Sequence, residues 1–119
     1  MTVMKNLCYH LEGLVNGRSL THHFPSKQFI YLGPQTVSPC LIIDGVVMND
    51  DKQNSWSLHI IYQTADKSSQ QFDVIHSLLL ALQDSAAIQT KGILHRPEKD
   101  GPNRFLIPCE VYVDRLPQP

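Results

Sequence analysis

The last third of the chain constrains the fold most. In "AIQTKGILHRPEKDGPNRFLIPCEVYVDRL" (87–116), two runs rich in apolar and β-branched residues flank "PEKDGPN", which holds two prolines and a glycine and nothing to bury. Short apolar runs separated by turn formers read as the two strands of a hairpin. The tip is expected to project as a mobile ribbon. Leu116-Pro117 begins a tail that cannot continue a central strand.

Upstream, the pattern predicts more strands and one helix. "LCYHLEGLV" (7–15) alternates Leu7, Tyr9, Leu11, Gly13 and Val15 against Cys8, His10, Glu12 and Leu14, a strand-like period with a bend at Gly13. "KQFIYLG" is a second β candidate, closed by Gly33-Pro34. "CLIIDGVVMND" is a third, interrupted at Asp44-Gly45, and the polar loop Asn49 to Asn54 joins it to "SWSLHIIYQT" (55–64). The helix signal covers 70–83, where Phe72, Ile75, Leu79 and Leu82 recur at spacings of three and four. Ser68 with Gln71 fits a capping box at its start.

At 119 residues and 42% hydrophobic, one core is expected, with 1–116 as a single domain and 117–119 as a short tail. Strands, one helix, then a two-strand hairpin is the element order of the OB-fold. The expected architecture is therefore mainly β, a small five-stranded OB-like Greek-key barrel with one α-helix between strands 3 and 4. A formal net charge of -1 excludes a strongly basic binder and leaves any such function to local patterning. Three cysteines in apolar segments with no C-x-x-C spacing suit a reducing compartment. No apolar run approaches the ~20 residues of a membrane span, so a soluble, cytoplasmic protein with no membrane association is expected.

The stretch from Trp56 to Leu116 resembles the second half of bacterial single-stranded DNA-binding proteins and their dimeric relatives, the primosomal replication proteins of the PriB type. "SWSLHIIY", "KGILHR" and "RFLIPCEVYVDRL" carry the resemblance. It implies that Trp56 and Tyr62 stack on bases, and that a homo-oligomer, a dimer by preference, binds single-stranded nucleic acid, DNA rather than RNA. Where that family puts a basic residue between the two rings, this chain has Leu58 and Ile60. Trp56, Leu58, Ile60 and Tyr62 thus form one apolar stripe, which reads either as a stacking platform or as the inward face of a barrel strand, the latter favoured.

The candidate phosphate contacts are Lys91, Arg96, Lys99 and Arg104, with His95 beside them. Over residues 91–104, four basic groups face Glu98 and Asp100, a local excess of two positive charges. Lys52 and Lys67 are expected to lie away from this patch. Phe29 and Tyr31, two apart and beside Lys27, form either core or a second stacking surface, and Arg18 is either a phosphate contact or solvated. His22-His23 lacks further ligands at zinc spacing, and no cysteine, histidine and carboxylate set marks a nucleophile. No metal, cofactor or enzymatic activity is expected. The alternative function is an OB-fold protein-interaction module, a subunit of a larger assembly with protein partners and no nucleic-acid affinity.

Overall fold

The computed structural model describes residues 2–49 and 54–118. Asp50 to Gln53 of the expected hairpin connection, and Lys52 with them, lie outside the described residues, as does Pro119 of the tail.

The first element corrects the reading of 7–15 as a strand. Those residues belong to a helix, α1 (Thr2–Gly17). Met4, Leu7, Leu11 and Val15 recur at three and four and are all buried, whereas Tyr9, which alternation would pair with them, is 51% exposed. Leu7, Leu11 and Val15 satisfy both periods, and Met4 supplies the helical one. The helix ends in a Schellman motif. The Leu20 amide donates to the Val15 carbonyl and the Ser19 amide to that of Asn16, with Ser19 in the left-handed region at φ 56°.

A short 3-10 turn (Thr21–His23) leads to β1 (Ile30–Leu32), β2 (Cys40–Met48) and β3 (Ser55–Thr64). Then follow α2 (Gln70–Gln83), β4 (Ile88–Thr90), β5 (Leu94–Arg96), β6 (Asn103–Tyr112) and a final 3-10 turn, Val113–Arg115. The helix expected at 70–83 therefore forms, between the third and fourth strands, but it is one of two long helices rather than the only one. Its capping box does not form, because the Gln71 side chain instead accepts from Asn103 Nδ2 at 2.6 Å. Its inward face is also turned from the expected one. Gln71, Val74, Ile75, Leu78, Ala81 and Leu82 are buried, while Phe72 is 48% exposed at the rim.

The strands run β1-β2-β3-β6-β4, with β5 also on β6, and the two ends of this sheet are not paired with each other. The sheet is open, which corrects the expected five-stranded barrel. β1 lies parallel to β2, and the other pairings are antiparallel. The single strand expected in "AIQTKGILHR" splits into β4 and β5, which share one edge of β6. Pro108 gives the reason. Its carbonyl accepts from the Lys91 amide at 2.8 Å, so its nitrogen faces the same edge with no proton to donate, and the ladder breaks there at Gly92, φ 100°.

Alternation sorts β3 into two faces. Leu58, Ile60 and Tyr62 join Leu41, Ile43, Phe105, Ile107, Cys109 and Val111 under α1 and α2 in the main core. On the opposite face Cys40, Ile42 and Ile61 make a smaller cluster, flanked by Tyr31 and Leu106. Residues 33–39 cross that face, pinned by Gln63 Nε2, which donates to the carbonyls of Gln35 at 3.0 Å and Val37 at 2.7 Å.

Candidate interaction surface

The two proposed stacking rings part company. Tyr62 is 3% exposed, edge-on to Phe24 and stacked near Phe105, and burial raises its phenol pKa. Trp56 is half-buried, packs against the main core, and shows one side to a surface groove. Of the other aromatic pair, Phe29 stacks on Phe24 inside the core. Tyr31 lies with the opposite-face cluster, so the two do not share a surface.

The basic residues are mostly engaged. Lys91 Nζ lies 3.3 Å from the buried Glu110 carboxylate. Arg104 donates from Nη1 to Glu98 at 2.7 Å and from Nε to Gln63 Oε1 at 2.8 Å. The His95 ring stacks on Phe105, centroids 4.3 Å apart and nearly parallel, with Phe72 edge-on to it. Arg96 stands directly opposite Arg104 in the β5–β6 ladder. Arg96 and Lys99 are exposed and make no ion pair with the described residues. Arg96, Glu98 and Arg104 form one wall of a groove of about 420 Å³ with Ile42, Ile61 and Leu106 also lining it. Arg18 is held bidentate by Asp84, at 2.6 and 2.7 Å, a bond that lowers the Asp84 pKa.

Lys67 is not remote from this patch. Its ammonium donates to the carbonyls of Glu98 and Gly101 and to Asn103 Oδ1, tying the hairpin tip to the segment that leads into α2. Buried Asn103 completes the clasp by also accepting from the Glu98 amide. A polar residue in "DGPN" reads as a turn former, so nothing in the sequence marked it as the hub of a tertiary network.

An open strand edge lies elsewhere, along β2. β1 pairs only with Leu41 to Ile43, and among the described residues no strand lies beside Asp44 to Met48 on that side. The Asn49 amide donates to the Ser55 carbonyl, so by alternation the Met48 amide and carbonyl point away from β3, to the open edge. Val47 is 60% and Met48 62% exposed, with Leu32 at 57% and Val46 beside them. A groove of about 450 Å³ runs along this edge, lined by Met4, Leu32, Ile43, Val46, Met48 and Trp56, with Asp44 the one charged lining residue among the described residues. The sequence signal was present in "DGVVMND", but a strand's membership of an edge is a property of the sheet.

The chemistry available elsewhere is limited. Burial pushes the Cys109 thiol up to about 12 and that of Cys40 to about 11, which keeps both protonated and poor nucleophiles. Among the described residues no three potential metal ligands cluster, and no helix is long and apolar enough to cross a membrane. Comparison with protein-family models and with curated proteins finds no match.

Proposed function

We propose that the protein is an interaction module, a subunit that docks to protein through the open edge of β2. The observation that carries this reading is a five-residue strand edge, Asp44 to Met48, with exposed Val46, Val47 and Met48 beside an apolar groove. Exposed edges with unpaired backbone groups are templates for strand addition. This one has a bulge and one acid but no lysine or proline to blunt it. The test compares the wild type with Val47→Lys, an exposed change that leaves the core alone. Purified from the cells that make it, the wild type should retain a stoichiometric protein chain, and the variant should lose it. Equal retention by both, or none by either, overturns the reading.

A second reading keeps single-stranded nucleic acid as the ligand, docked OB-fashion at the β5–β6 tip and supported by Arg96 and Lys99, exposed and without an ion pair among the described residues. Anisotropy with a labelled oligomer of ~30 nucleotides separates the two. On the interaction reading nothing binds at low salt. On the nucleic-acid reading binding is tight, and Arg96→Ala with Lys99→Ala lowers the salt slope by up to about 1.4 units.

A further inference from the structure

We infer that the groove on the sheet face opposite the main core binds a small molecule with one carboxylate and an aliphatic body, the carboxylate held by Arg96 and Arg104. The register brings the two arginines together. Arg96 stands directly opposite Arg104, as Leu94 does Leu106, and the His95 ring between them in sequence stacks on core Phe105, so alternation turns both arginines to the other face. Cβ atoms across such a pair are about 4.5–5.5 Å apart, close enough for two guanidinium groups to meet one carboxylate.

Arg104 is aimed from behind. Gln63, wholly buried, accepts from its Nε at 2.8 Å, and Gln63 Nε2 is itself fixed on the carbonyls of Gln35 and Val37. A guanidinium oriented by a buried side chain loses little freedom when it meets an anion. Glu98 shows which anion this fork accepts, since its carboxylate takes Arg104 Nη1 at 2.7 Å. Arg96 makes no ion pair among the described residues, so two opposed positive groups share one carboxylate, and a second relieves their repulsion.

The rest of the groove selects the body of the ligand. Ile42, Ile61 and Leu106 stand level with one another in the ladder and supply an apolar floor. No aromatic ring lines the groove among the described residues, so a base finds nothing to stack on. Asp44 lies four residues along β2 from Cys40, which is level with Gln63 and Arg104, a separation of about 13 Å. One negative head fits at the arginine end, whereas a run of phosphates would meet Asp44. A volume of about 420 Å³ suits a small molecule.

Titration of the isotope-labelled full chain with octanoate, followed by NMR, tests this. Saturable shifts should appear at the amides of Ile42, Ile61, Arg96 and Leu106. Octanol, which has the tail without the charge, and acetate, which has the charge without the tail, should each bind at least about tenfold more weakly. Arg96→Ala, an exposed change, should weaken octanoate about tenfold. Glu98→Gln removes the carboxylate that competes for Arg104 and should tighten octanoate by up to about fivefold, the opposite of what a loss of structure does. Lys99→Ala, on the same tip but outside the groove, should change nothing. No saturable binding, octanol equal to octanoate, or equal losses from Arg96→Ala and Lys99→Ala overturns the proposal. Shifts at these residues with a single-stranded oligomer and none with octanoate also overturn it, and assign the two arginines to phosphate.

Discussion

Ser19 closes the first helix in a backbone conformation that a side chain resists. The left-handed region crowds Cβ against the following carbonyl, a cost of roughly 1–2 kcal/mol that glycine does not carry. The two Schellman hydrogen bonds and the burial of Leu20 hold it there. Ser19→Gly should therefore stabilise the protein by about 0.5–1 kcal/mol, since glycine's freer unfolded chain returns part of the gain. Chemical denaturation checks this, and a loss of stability would mean that the serine side chain makes a contribution its geometry does not explain.

At the scale of elements, α2 and the hairpin tip depend on different forces. Leu78 sits wholly inside the core on the helix's inward face, so Leu78→Ala should cost about 2–5 kcal/mol. Phe72 sits at the rim and contributes mainly its edge-on contacts with His95 and Phe105, so Phe72→Ala should cost about 0.5–1.5 kcal/mol. Reversal of that order in denaturation experiments would place Phe72, not Leu78, on the buried stripe. The tip rests on the Lys67 clasp. Lys67→Met keeps the stem and removes the donors that reach Glu98, Gly101 and Asn103. Hydrogen exchange across 97–103 should then quicken with little change in Tm, because the tip is exposed and the core is untouched. Unchanged exchange would show that the β5–β6 pairing alone holds the tip.

For the whole molecule, acid is the sensitive direction. Burial lowers the pKa of both His10 and His23 below the ordinary value of 6.5. A depressed folded pKa means that the unfolded chain binds the proton first. The stability these residues contribute is complete above pH 6.5 and is lost as pH falls below it toward the folded values. His10 Nε2 meets Ser85 Oγ at 2.5 Å, so the half-buried ring that must take up the proton lies where α1 meets the turn after α2. Unfolding free energy should fall between pH 7 and pH 5, and His10→Gln should flatten part of that slope. A slope identical in the variant would assign the acid sensitivity to His23 or to the carboxylates.

By itself the sequence determined β1, β2, β3 and β6, the bounds of α2 and the inward stripe of β3, though not the division of 87–96 into β4 and β5. Each rests on a local period that burial on one face imposes, as in Leu58, Ile60 and Tyr62. It misdirected at 7–15, where Leu7, Leu11 and Val15 fit two periods and only packing against α2 and the sheet chose the helix. Tertiary structure alone decided that the sheet stays open, that Lys91 and Arg104 meet carboxylates, that Lys67 reaches the tip, and that Asp44 to Met48 lie at an edge. All are contacts between residues distant in the chain, and a one-dimensional pattern carries the face of a strand but not its neighbours.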